Sequence, residues 1–239
     1  MTPPEHFRFA ARSLQRRVSK TDFQIITFDC YGTLIDWEGG IVRAFQTEAS
    51  RAGLDLDPGR IIEAYMAEEP AVESEGYRSY REVLALTAVR VAARFGWEIT
   101  PAQAEFLPAS IADWQPFPDT NPALERLAEG HKLGILSNVD DDLLAATRRH
   151  FSVGFDLIVT AQQVRSYKPA HAHFREAILR AGGRRLLHAA QSFFHDVVPA
   201  CELGIPVVWV NRKGEAARQG GPEPTAEVRD LTGLADLIA

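Results

Sequence analysis

The stretch Gln24-Ile25-Ile26-Thr27-Phe28-Asp29-Cys30-Tyr31-Gly32-Thr33-Leu34 decides how the chain is read. An apolar, β-branched run stops at a carboxylate and then turns through a glycine, the pattern of a strand that ends by presenting a side chain. In an open parallel sheet, ligands bind beyond the carboxyl ends of the strands. An Asp at the last strand position therefore points into the crevice where chemistry takes place, and Asp29 is the candidate nucleophile. Gly32 permits a tight turn. The Thr33 hydroxyl and nearby N–H groups can hold one carboxylate oxygen and leave the other free to attack.

Outward from this strand, the chain alternates strand-like and helix-like segments after Pro116-Phe117-Pro118. Helices are expected at Asn121 to Ala128, Asp140 to His150, Ala170 to Arg180 and Leu231 to Ile238. Strands are expected at Lys132 to Leu136, Phe155 to Val159, Gln191 to Phe194 and Pro206 to Val210. Repeated units of this length predict an α/β fold built on a doubly wound parallel sheet with right-handed crossovers.

A wholly helical block interrupts the alternation. Gly39-Gly40 reads as a hinge-like turn that opens it, and Ile41, Ala44, Phe45, Ala49 and Ala52 recur at helical spacing. Pro58 opens a second helix, Tyr80 to Phe95 forms a third that stops at Gly96, and Thr100-Pro101 starts a fourth that continues to about Ala112. The expected organisation is a basic N-terminal extension at 1–20, a core domain at 21–37 and 115–239, and a helical cap domain at 38–114. Inserted directly after the first strand, the cap sits over the catalytic edge, placed to act as a lid that excludes water.

With 239 residues, 46% of them hydrophobic, the chain can bury a full core, and a net charge of −6 argues against a nucleic-acid partner. No apolar run of the length a membrane helix needs is present. Two cysteines, Cys30 and Cys201, suit a reducing cytoplasm better than a disulfide scaffold. Arg8, Arg12, Arg16, Arg17 and Lys20 lack the apolar core of a signal peptide and read as a solvated extension.

Asp29-Cys30-Tyr31-Gly32-Thr33-Leu34 after an apolar strand resembles the first motif of the haloacid dehalogenase superfamily. Ser137-Asn138 at the next strand end resembles the second, and Lys168-Pro169 the third. Ser137 and Asn138 offer a hydroxyl and an amide to an anion. Lys168 answers a physical need, since an anionic substrate is repelled by an ionised Asp29 unless a cation lies close by. In the superfamily's phosphatases a second Asp stands two positions after the nucleophile and protonates the leaving alkoxide; Tyr31 stands there here. In the fourth motif, Gln191 replaces the acid that helps to hold Mg²⁺, and only Asp196 remains. A halide, the anion of a strong acid, leaves without a proton.

Both departures point to the 2-haloacid dehalogenase branch, which works without a metal. The resemblance implies no cofactor, a small 2-haloacid as substrate and a 2-hydroxy acid as product, with neither nucleic acid nor membrane as partner and room for a homodimer. It implies that Asp196 orients Lys168 or the hydrolytic water and that a cap arginine, Arg60 of Asp57-Pro58-Gly59-Arg60, cradles the halide. Tyr31 is a further candidate at the substrate, and His195, which departs from the family's fourth motif, either donates to the departing halide or is a satisfied core histidine. Arg43, Arg78 and Arg81 are rivals for that arginine. The alternatives are a phosphatase with a reduced site and a non-catalytic member. Asp140-Asp141-Asp142 reads as favourable charge at a helix N-terminus. His171 and His173 lie on different helix faces, and Cys30 turns away from the site to pack.

Overall fold

The computed structural model describes residues 23–216 and 220–238; the extension at 1–20 lies outside the described residues. Strands β1 (Ile25–Phe28), β2 (Lys132–Ser137), β3 (Leu157–Thr160), β4 (Leu186–Ala190), β5 (Val207–Val210) and β6 (Ala226–Val228) form one sheet in the order β3-β2-β1-β4-β5-β6. All five pairings are parallel. Phe28 at the end of β1 lies opposite Ile135 on one side and Ala189 on the other. The sheet reverses its order at β1, so the crevice opens where Asp29 emerges.

Every residue of β1, β4 and β5 is buried, as expected for parallel strands covered on both faces. The two sides of β1 feed two apolar clusters. Ile26 and Phe28 pack with Leu124, Leu127 and Leu234 of helices α5 (Thr120–Ala128) and α10 (Leu231–Ile238), while Ile25 packs with Phe174 of α8 (Ala172–Ala181) and with Trp209. The remaining core helices are α6 (Asp141–Thr147), α7 (Ala161–Val164) and α9 (Val198–Glu202). Among the described residues, no helix is long and apolar enough to cross a membrane.

Between β1 and β2 lie α1 (Trp37–Arg51), α2 (Pro58–Ser74), α3 (Tyr80–Arg94) and α4 (Phe106–Ser110). Gly39 and Gly40 are within α1 and form no hinge. The Asp36 carboxylate caps the helix by accepting the Gly39 N–H at 3.0 Å. A Cβ on Gly40 would lie 2.4 Å from Trp114, so this glycine is there for close approach. The fourth expected helix is broken: a 3₁₀ turn at Gln103–Glu105, α4, and a second 3₁₀ turn at Ile111–Asp113 replace it. Pro108 has no N–H to continue the ladder and interrupts it.

Gln191 to Phe194 is no strand. The chain leaves the sheet at Ala190, and Gln191 and Ser192 lead into a π-helical turn at Phe193–Val197. The apolar run in the sheet is the preceding Leu186–Ala190, with His188 inside it. Strand β6 has no counterpart in the sequence reading; it is three residues long, partly exposed and at the sheet edge. The acidic run stands at a helix N-terminus as expected, with Asp141 and Asp142 in the first turn of α6. Asp140 is buried and accepts the N–H groups of Tyr80 at 3.0 Å and Arg81 at 2.9 Å, so it caps α3 rather than its own helix. The cap thereby ties the start of α3 to the loop after β2.

Candidate active site

Four chain segments meet beyond the carboxyl edge of the sheet, each delivered by the end of a strand or the loop after it. Asp29 follows β1 and is 8% exposed. The Thr33 hydroxyl, one turn further on, donates to Asp29 Oδ2 at 2.9 Å and accepts the Gln191 N–H at 2.9 Å. Lys168 comes from the loop before α8 and is 2% exposed. Its three ammonium protons are all committed, to Asp29 Oδ1 at 2.9 Å, Asp196 Oδ1 at 2.6 Å and the Leu136 carbonyl at 2.9 Å.

Asn138 does not hold an anion here. Its amide clamps the lysine's main chain: Oδ1 accepts the Lys168 N–H at 2.7 Å, and Nδ2 donates to the Lys168 carbonyl at 3.1 Å. Ser137 is fully buried, and its hydroxyl has no protein partner among the described residues. Asp196, on the π-helical turn, is held from below by His188 Nε2 at 3.0 Å, whose Nδ1 lies 2.9 Å from Thr27 Oγ1. Its second oxygen, Oδ2, is buried without a partner among the described residues.

Charges in this cluster are set by burial and by one another. Burial pushes the Asp29 carboxyl up from its ordinary 3.8, and the Asp196 charge adds to this against the pull of Lys168 and Thr33. Burial also opposes ionisation of Asp196, but Lys168 and His188 outweigh it and hold that carboxyl down at about 2. For Lys168, burial disfavours the ammonium, yet Asp196 and Asp29 on either side push its pKa up. Burial lowers His195 below its ordinary value, favouring a neutral ring. His195 Nδ1 is 3.0 Å from Ser192 Oγ, and His195 lines the same cavity as Asp29.

The Tyr31 hydroxyl is tied to Thr147 Oγ1 at 2.8 Å, and the ring packs edge-on against Trp114. It walls the cavity, with its hydroxyl directed to Thr147 rather than left free beside Asp29. Arg60 is not at the cavity: it lies in the first turn of α2, with its guanidinium 5.2 Å from the centre of the Phe95 ring. Arg78 pairs with Glu75 and Arg81 with Asp142, and no arginine is among the described residues lining the cavity. Cys30 is buried and Cys201 partly so, both as free thiols. His173 is buried in the core, while His171 pairs with Glu202.

The Mg²⁺ on which the superfamily's phosphatases depend does not fit these donors. Among the described residues, no three His, Cys, Asp or Glu side chains are grouped to hold a metal. Asp29 Oδ1 and Asp196 Oδ1 face the Lys168 ammonium instead.

A cavity of about 570 Å³ opens over Asp29, between the sheet edge and helices α1 to α3. Asp29, Ser137, Lys168 and Asp196 floor it; Trp37, Tyr65, Glu69 and Glu73 wall it from the helical side. The sequence reading missed the two glutamates, as well as His188 and Arg212. Arg212 donates to the Thr33 carbonyl at 2.9 Å and grips Asp119 at 3.0 Å and 3.1 Å, so it braces the turn after β1. A titratable His188 inside an apolar strand was the one signal that could have revealed part of this.

A family profile described as haloacid dehalogenase-like hydrolase matches residues 23–194. An (S)-2-haloacid dehalogenase of Pseudomonas putida is 34% identical over 128 residues, 52% of this chain and 57% of that protein, so the match spans little more than half the relative's length. A glyceraldehyde 3-phosphate phosphatase of Methanothermobacter thermautotrophicus is 27% identical over 232 residues, 89% of this chain and 95% of that protein. The structure of the L-2-haloacid dehalogenase of Xanthobacter autotrophicus shares the fold, with a TM-score of 0.76 at 19% identity over 90% of this chain and 98% of that one. With a profile that takes in β1, Asp29, Lys168 and the whole helical insertion, the chain belongs to the haloacid dehalogenase-like hydrolases.

Proposed function

We propose that the protein hydrolyses the carbon–halogen bond of (S)-2-haloalkanoic acids without a metal. Asp29 Oδ1 or Oδ2 attacks the halogen-bearing carbon from behind; a carbon–oxygen bond forms, the carbon–halogen bond breaks and halide departs with its electron pair. Water then adds to the carbonyl carbon of this ester. The 2-hydroxy acid leaves with inverted configuration, Asp29 is restored, and the water's second proton passes to solvent. Lys168 and Thr33 orient Asp29, Asn138 positions Lys168, Ser137 donates to the substrate carboxylate, and the free Oδ2 of Asp196 orients the water. His195 Nε2 can carry a hydrogen toward the departing halide when Ser192 donates to Nδ1.

The observation that carries this reading is the state of Tyr31: its hydroxyl is engaged by Thr147, so nothing at that position can protonate the group that leaves in the first displacement, and a halide, which needs no proton, suits that step; in the second step the oxygen of the 2-hydroxy acid takes up a proton of the attacking water. The helical block 38–114 serves as the cap domain, and the two free thiols suit a cytoplasmic setting. Single-turnover hydrolysis in ¹⁸O-labelled water tests the pathway. The label is expected in Asp29 and absent from the first product; label appearing directly in the hydroxy acid would end the ester route.

The phosphatase relative, similar over most of its length, favours a second reading, a phosphomonoesterase with a reduced site. A Mg²⁺ titration against a panel of phosphomonoesters separates the two: metal-dependent phosphate release would select the phosphatase, and chelator-insensitive halide release the dehalogenase.

A further inference from the structure

The cavity is larger and more acidic than a two- or three-carbon haloacid requires. At about 570 Å³ it falls within the range that accommodates drug-sized ligands. Among the described residues, the acidic side chains on its wall, Asp29, Asp196, Glu69, Glu73 and Glu215, outnumber the cations, Lys168 and Lys213. Neither lysine is available: Lys168 is bound to Asp29 and Asp196, and Lys213 pairs with Glu38.

On α2, Glu69 accepts hydrogen bonds from Tyr80 Oη at 3.0 Å and Tyr65 Oη at 3.3 Å, both neutral donors; burial pushes its carboxyl up, and no ion pair with it is formed among the described residues. Glu73 stands one helical turn on, where burial and then the Glu69 charge push its carboxyl up to about 9, so it keeps its proton at neutral pH. Tyr65 and Trp37, with ring centres 5.6 Å apart, and Tyr80 line the same space. Aromatic faces beside carboxyl groups are the surroundings that stabilise an ammonium ion. Two other residues of the lining, Ser137 and Asp196, each carry a buried polar atom, Ser137 Oγ and Asp196 Oδ2, with no protein partner among the described residues, which independently marks this space as a site with polar demands.

We propose that the substrate is a 2-haloacid whose carbon chain ends in a protonated amine, seated between Glu69 and Glu73 while the halogen-bearing carbon faces Asp29. This rests on the dehalogenase reading for its reacting end only; the amine seat stands on the α2 wall. On binding, the ammonium supplies the missing positive charge and Glu73 can release its proton to solvent, giving a carboxylate pair around one cation.

Binding of the unreactive probes 4-aminobutanoate, 6-aminohexanoate and 8-aminooctanoate, each against the plain acid of the same length, is measured by calorimetry on the full chain. Halide release from 6-amino-2-chlorohexanoate is measured beside that from 2-chlorohexanoate. At least one amino acid probe is expected to bind about tenfold or more tightly than its plain counterpart, and this advantage is expected to vanish in folded Glu69→Gln and Glu73→Gln proteins. The amino chloroacid is expected to be the better substrate by a similar factor in kcat/KM. If the wild-type protein binds every amino probe no better than its plain acid, or if both variants keep the preference, the amine seat is refuted. Tight amino-probe binding with no halide released from either chloroacid would keep the seat and remove the dehalogenase reading. Equal halide release from both chloroacids with no probe preference would do the reverse.

Discussion

Replacing Glu73 by Gln should make the ligand-free protein more stable above neutral pH and leave it unchanged in acid. The folded protein holds the Glu73 proton up to about 9, whereas the unfolded chain releases it near the ordinary value of 4.5. Between these values the native state binds more protons than the unfolded one, so stability falls as pH rises through the window. At a pH about three units above the unfolded value the full linkage cost is ~4 kcal/mol, from 1.36 kcal/mol per unit. Glu73 faces a water-accessible cavity, and solvent screening reduces this to about 1–2 kcal/mol. Glutamine keeps the shape and cannot ionise, so the cost disappears in the variant. Urea unfolding at about pH 5 and about pH 8 checks this: the variant should exceed wild type by about 1–2 kcal/mol at the higher pH and match it at the lower. A Gln variant that gains nothing at the higher pH relative to the lower would refute the argument that Glu73 is held neutral by its surroundings.

In the proposed mechanism the Asp29 carboxyl attacks as its anion, and burial with the Asp196 charge raises it above 3.8, so activity should fall as pH drops through a value above the ordinary one. A pH profile of kcat/KM whose acid limb lies at or below that value would contradict this. His195→Ala should slow fluoride release more than bromide release, because fluoride is the anion of the weakest acid of the series and gains most from an N–H donor; parallel single-turnover rates would remove His195 from the halide. Gly40→Ala places a Cβ about 2.4 Å from Trp114, and urea melts should show a loss of about 1–3 kcal/mol from the forced shift of the ring.

What the sequence reveals and what it conceals divide along a physical line. Asp29 and Ser137 were legible because an apolar run giving way to small polar residues is a local signal, and the carboxyl edge of a parallel sheet turns that local signal into a place. Asp196 and Lys168 were reached through motif resemblance, Lys168 also through the need for a cation beside an ionised Asp29, from which it stands 2.9 Å away. Asn138 was legible as a polar strand-end residue but not in its role. An amide can serve an anion or a backbone equally well, and only the position of the Lys168 loop selects the backbone.

The helical wall gives no such local signal. Glu69 and Glu73 sit one turn apart on α2 in a segment, Glu68-Glu69-Pro70-Ala71-Val72-Glu73, that has the composition of a solvated face; whether that face meets water or a cavity depends on where α2 lands relative to β1, which no periodicity within α2 encodes. Arg60 is the converse case, a cation in the expected segment whose helix turns it onto Phe95. If the proposals hold, chemistry at the sheet edge and selectivity at the α2 wall are specified by different kinds of information, strand termini in one case and helix placement in the other. A chain with the same strand ends and a different α2 face would keep the nucleophile and change what reaches it. On this view the substrate's far end is read by residues that the motifs do not contain, and substitutions along α2 should change which acid is hydrolysed before they change how.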